Sequence, residues 1–220
     1  MRIPAFATLL SLLAVPVWAQ TPAPAPAAKM DLATFIKQPD YRAKIIETAK
    51  DQIKQAVSAC ANANFQATGK VTVFDPVQFA DGKPFAGAWT EQVLATGCGP
   101  TRTLNVLTIA HSDAPPQIVG MMPGDTHTDP MMQKNALQYA QAIAIRAVPP
   151  GCKQLAFVDT KFDGFTGLPA PDVTDGRESR PWREVWTVSV CGALSDVNLT
   201  FTPNAKGTAL SGQNPVKHRE

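Results

Sequence analysis

An α+β fold is predicted: two tandem αβββ repeats forming antiparallel sheet, with the helices packed on one face and two disulfides. Three observations predict it. A stretch beginning Trp89-Thr-Glu91 and ending Cys98-Gly99 recurs as Trp182-Arg-Glu184 through Cys191-Gly192, with Trp, Glu, Cys and Gly at the same offsets. Trp and Cys each occur only four times in the chain, so their coincidence in register carries weight. Each copy is preceded by a helical pattern and followed by a strand-like run, Leu104–Ile109 in the first and Val197–Phe201 in the second. The cysteines Cys60, Cys98, Cys152 and Cys191 repeat the same phasing, 38 residues apart in the first half and 39 in the second.

The N-terminus reads as an export signal over residues 1–19. Arg2 gives a positive start, Ala5 to Val17 is apolar, and Val17-Trp18-Ala19 offers small residues for cleavage. Residues 20–30 form a Pro/Ala-rich linker whose alternating prolines favour an extended tether. The first αβββ half covers 31–111. Asp31 caps a short turn to Ile36, Pro39 interrupts, and Asp40 restarts a helix as its N-cap. Ile46, Ala49, Ile53, Ala56, Val57 and Cys60 recur every three or four residues as one apolar stripe. Strands are expected at Lys70–Phe79, with Pro76 marking an edge or bulge, then at Phe85–Thr96 and Thr101–Ala110. Asp81-Gly82 and Gly97-Cys98-Gly99-Pro100 supply the turns.

A connecting loop follows over 112–128. The second half spans 129–212 and opens with Asp129 as N-cap and Pro130 in the first turn. Met132, Ala136, Ala140, Ile143, Ala144 and Ala147 make its helix's apolar face, and Pro149-Pro150-Gly151 ends it. Strands are expected at Gln154–Thr160, Trp182–Val190 and Leu194–Thr202. Lys161–Arg180 is a long Gly/Pro/Asp-rich loop between the first two. Residues 213–220 read as a disordered tail. In an exported chain four cysteines imply two disulfides, and the repeat favours Cys60–Cys98 with Cys152–Cys191. A Cys98–Cys191 bond between the two turns is the alternative of a pseudo-twofold arrangement.

Composition narrows the function. Charged residues make up 17% and apolar residues 45%, enough for a core. With Arg2 removed, 19 basic residues face 18 acidic ones, and no Lys/Arg run exceeds two, so nucleic acid is not an expected partner. No later apolar run is long enough to span a bilayer, so no integral membrane segment is expected after processing. No cofactor is called for: there is no Gly-rich phosphate loop and no nucleophile elbow.

Three sets of residues carry candidate chemistry. His111, Asp125 and His127 place imidazole and carboxylate ligands in one loop. With Met121, Met122, Met131 and Met132 nearby, they make a candidate zinc or copper site. Against that, Asp125 follows a Pro-Gly turn and Asp129 is spent as a helix cap. Glu91 and Glu184 occupy matching places, and strict alternation puts each on the face of its neighbouring Trp. They either rim a concave sheet face or meet a cation such as Arg102 or Arg183, with acid–base catalysis a weaker reading. Trp89, Glu91, Trp182, Glu184 and Trp186 thus define a possible binding face.

The run Pro181-Trp182-Arg-Glu184-Val-Trp186 through Cys191-Gly192, closing with Phe201-Thr-Pro203, resembles a hairpin of small uncharacterised exported proteins of proteobacteria. That resemblance implies a periplasmic location and no established activity. The tandem layout also resembles, in architecture, secreted inhibitor proteins such as the β-lactamase inhibitory protein, a likeness that names no target. The expected function is a non-enzymatic periplasmic binding or accessory module, with a protein or small-molecule partner held by a sheet face and the Lys161–Arg180 loop. A metal-binding protein and an enzyme of unidentified class are the alternatives.

Overall fold

The computed structural model describes residues 30–56, 62–97 and 99–218. The export signal, the Pro/Ala spacer through residue 29, and Cys60 and Cys98 lie outside these residues. The architecture is α+β, with two antiparallel sheets each carrying a helix.

In the first half, α1 (Leu32–Phe35) is capped as expected, the Thr34 amide donating to Asp31 Oδ1 at 2.8 Å. The main helix α2 (Pro39–Ala56) begins one residue before the expected Asp40 cap. Pro39 occupies its first turn, where a missing N–H is harmless, and the Arg42 amide already reaches the Gln38 carbonyl. Its buried stripe is Tyr41, Ile45, Ala49 and Ile53, a strict four-residue repeat. Tyr41 and Ile45 were not in the expected stripe, and Ile46 is only half-buried. A tyrosine enters a core when its hydroxyl finds a partner there, and that partner is described below. The helix lies on β1 (Asn64–Ala80), β2 (Lys83–Thr96), β3 (Arg102–Ala110) and β4 (Gln117–Gly120), paired in that order. Asp81 and Gly82, both at positive φ, close the β1–β2 hairpin in two residues. This geometry matches the twist of the flanking strands. Pro76 sits on the outer edge strand among register shifts, where its missing N–H breaks no ladder. The strand β4 lies inside the segment expected to be a loop, as do the ribbon residues that follow it.

The second half runs α3 (Pro130–Ala144), β5 (Leu155–Phe165), β6 (Trp182–Val190), β7 (Ala193–Asn204), β8 (Gly207–Gly212) and β9 (Val216–Lys217). Asp129 caps α3 as expected, accepting from the Met132 amide at 2.8 Å. The sheet order is β5-β6-β7-β8, with β9 on β7. The expected tail therefore contributes a short strand. The stretch Lys161–Phe165, expected as loop, extends β5. Cys191 and Gly192, again at positive φ, close β6 onto β7, and Cys191 is bonded to Cys152. That bond excludes the Cys98–Cys191 alternative.

Each helix covers one sheet face. Beneath α2 lie Trp89, Val93, Leu104 and Val106; beneath α3 lie Trp182, Trp186, Val188, Leu199 and Phe201. The buried side of α3 is Gln133, Ala136, Ala140, Ile143 and Ala144, mostly small, so the sheet supplies the bulk of this core. A buried indole in such a setting resists truncation by about 3–5 kcal/mol. Among the described residues no helix is long and apolar enough to cross a membrane.

The sheets are joined edge to edge by the chain that links them. Beyond β4, the Met121 amide donates to Asn105 O at 2.8 Å and the Gly124 amide to Thr103 O at 2.7 Å. The ribbon then changes partner: the Asp125 amide donates to Thr160 O at 2.7 Å, and Asp125 bridges Lys161 in parallel. Thr160 Oγ1 donates to Pro123 O at 2.6 Å, and Arg102 Nη1 to Val158 O at 3.0 Å. Only glycine fits at the crossing. Gly124 has φ +99°, and a Cβ there would stand 2.0 Å from Thr160 O.

Candidate functional site: the cleft between the halves

The duplicated motif is core in both halves. Trp89 and Trp186 are fully buried, and Trp182, Glu91 and Glu184 nearly or fully so. The possible binding face Trp89, Glu91, Trp182, Glu184 and Trp186 is thereby corrected. Alternation does put Trp and Glu on one face, and that face is the one the helices cover. Among the described residues neither glutamate forms an ion pair. Arg183 pairs with Asp163 at 3.1 Å, and Arg102 reaches a backbone carbonyl instead.

Around Glu91 the partners are side chains. Tyr41 Oη donates to Glu91 Oε1 and lies 2.8 Å from Thr108 Oγ1, while Trp89 Nε1 sits 3.0 Å from Tyr41 Oη and 3.3 Å from Glu91 Oε1. Burial pushes the Glu91 carboxyl above its ordinary range, and the bonds from Tyr41 and Trp89 only partly offset this. Burial, then the charge of Glu91, drive the Tyr41 phenol well above its ordinary value.

Around Glu184 there are five donors. They are the indoles of Trp182 (3.2 Å) and Trp186 (2.8 Å), the Thr126 hydroxyl (2.9 Å), and the amides of His127 (2.8 Å) and Thr128 (3.2 Å). All five give protons, so an acceptor-only carboxylate fits. The three residues that close over Glu184 are those entering α3. Above them the His127 ring meets Phe162, Phe165 and Trp182 at 5.2–5.3 Å. Its Nε2 lies 3.1 Å from Glu178 Oε2. Glu178 is held down at about 2: burial works against this, but hydrogen bonds from the Arg180 side chain and backbone and from His127 outweigh it. His127 thus clasps the end of the 166–181 loop to the sheet.

The expected metal set is not assembled. His111 lies beyond β3 in a hollow of about 710 Å³ beside Phe35, Tyr41 and Lys83, His127 is in the aromatic clasp, and Asp125 is in the ribbon. Among the described residues no three His, Cys, Asp or Glu side chains gather to hold an ion.

A larger concavity than the hollow beside His111 lies elsewhere. An open cleft of about 1010 Å³ lies between α2 and α3, with the ribbon and β5 as its floor. Met121, Met122, Leu155 and Phe157 form that floor, and Ile53 and Leu137 face it from the helices. One glutamine from each helix pins the ribbon. Gln52 Nε2 donates to Asn105 O (2.8 Å) and Met121 O (3.1 Å), and Gln133 Oε1 accepts from the Met122 amide at 3.1 Å. Gly120 makes room for Gln52, since a Cβ there would stand 2.3 Å from Gln52 Nε2. Two polar atoms of this wall, Gln52 Oε1 and Arg102 Nε, are buried without a hydrogen-bond partner among the described residues. The two carbonyls on Gln52 Nε2 fix the amide's orientation, so its orphan is the oxygen.

No single stretch of sequence marks this cleft, because its walls come from five separated segments. The signal that was present is the pair Met121-Met122: adaptable apolar residues in a chain section otherwise rich in turn formers. Comparison with family models, with curated proteins and with solved structures finds no match for this chain.

Proposed function

We propose that this protein is an exported binding or accessory module, non-enzymatic, processed into the periplasm or beyond, and that its ligand seat is the cleft between the two halves. The carrying observation is the cleft's composition: a mostly apolar floor and walls with a few fixed polar groups, the pattern of a small-molecule site. The acid–base reading of Glu91 and Glu184 has less support, since both are enclosed in core and meet only protein donors. We read the halves as copies of one αβββ unit, because in each an indole N–H meets the glutamate two residues on, beneath the helix. On that reading the remaining cysteines pair as Cys60–Cys98, and the likeness to secreted inhibitor proteins stays one of architecture.

The test is binding of Nile red, a neutral apolar dye, to the mature chain. Wild type is expected to enhance its fluorescence saturably. Leu137→Trp, which fills the cleft from α3, should weaken binding about tenfold, or about 1.4 kcal/mol, with unchanged circular dichroism. Absence of saturable binding, or equal binding by the filled variant, sinks the proposal.

A further inference from the structure

We infer that the cleft's ligand is an anionic amphiphile, an aliphatic chain ending in a carboxylate, with its head at Arg102 and Lys134. This rests on the cleft being a ligand seat. The argument is charge complementarity. Three charged side chains line the cleft: Asp51, Arg102 and Lys134. Asp51 is already paired with Lys54 at 2.8 Å. Neither Arg102 nor Lys134 has a carboxylate within ion-pair distance among the described residues; Asp159 acts on Arg102 only through space, so the seat presents two cations without a contact partner beside an apolar floor.

Arg102 suits a head group with two oxygens in one plane, as a carboxylate has. Its Nη1 is spent on Val158 O, while Nε has no partner. A guanidinium edge with a free Nε–H matches the two oxygens of a planar carboxylate, which a point charge does not. Nε is shielded by its surroundings, so a head group reaches it as the guanidinium turns outward, exchanging an unmade hydrogen bond for a charge-assisted one. The Gln52 orphan is an acceptor and offers nothing to an anion, so one cationic edge and one lysine set the head's size. The tail then lies over Leu155 and Phe157 against Leu137.

The experiment is displacement of Nile red from the full mature chain by four twelve-carbon probes below their micelle concentrations: dodecanoate, dodecanol, dodecyl phosphate and dodecyltrimethylammonium. Dodecanoate is expected to displace the dye at about tenfold lower concentration than dodecanol, the scale of one charge-assisted contact. The cationic probe should be the weakest. Arg102→Gln should abolish the preference for dodecanoate. Because Arg102 also ties the halves together, the exposed Lys134→Ala is the second variant, and it should reduce the preference about threefold without affecting the fold. Equal displacement by dodecanoate and dodecanol overturns the inference while leaving the binding proposal intact. Stronger displacement by dodecyl phosphate overturns the carboxylate assignment. Failure of Nile red itself to bind removes both.

Discussion

Glu91 and Glu184 begin from the same short motif, on the same face of the middle strand in each sheet, under a helix. They end in different electrostatic settings. Glu91 is closed over by a helical side chain, Tyr41, and its carboxyl is raised by burial. Glu184 is closed over by main chain, with two amides and a hydroxyl added to two indoles. The motif determines the face and one indole bond; whichever segment folds across the strand determines the rest. A helix passing over at a distance offers only side chains. A chain running up to a helix cap, as residues 126–128 run up to Asp129, offers main-chain amides that no strand ladder or helix turn uses.

The largest expected effect that would break this comparison is Glu184→Gln. The substitution turns an acceptor into a part-donor facing five donors, and should destabilise by about 3–5 kcal/mol, read as a fall in the urea midpoint at neutral pH. A loss below that of the matching Glu91 variant would refute the assignment of Glu184 as the better-satisfied group. Next is Tyr41→Phe, which removes the main donor to Glu91 and leaves Thr108 and Trp89 reoriented. A loss of about 2 kcal/mol is expected, again from urea unfolding.

The smallest effect at neutral pH, and the sharpest in its pH dependence, is Glu91→Gln, expected within about 1 kcal/mol of wild type. Glu91's folded value is raised above its ordinary 4.5. Between those two values the native protein holds a proton that the unfolded chain releases. Stability from this group therefore falls as pH rises through that window and is level above it. Glu91→Gln removes that fall, so its stability relative to wild type should improve as pH rises above the ordinary 4.5 of a glutamate. A difference that does not change with pH above 4.5 would show that Glu91 is not strained by burial.

The sequence reveals the strand Trp182–Val190, the Asp129 cap with Pro130, the two-residue Asp81-Gly82 turn and the shared face of Trp and Glu, all of which depend on local periodicity or turn chemistry. It does not reveal that donors to Glu184 arrive from Thr126, His127 and Thr128, since that closure is tertiary. It hides β4 because Gln117–Gly120 is only four residues long and follows two prolines. It places Ala49 and Ile53 on the buried face of α2 but misses its start, Tyr41 and Ile45, since Tyr41 counts as polar until its hydroxyl is given a partner. The cleft is invisible for the same reason as the closure over Glu184: it is a gap between units, and periodicity describes units.

The ribbon from Met121 to Asp125 has a kinetic consequence. A linker bonded on both sides cannot serve as a hinge, and the cleft it floors cannot shut around an occupant as a jaw would. On the proposed role of the cleft as a ligand seat, entry and release need no jaw-like closure. On that reading, selection depends on residence time, set by how well each occupant fits a floor held in place by the ribbon.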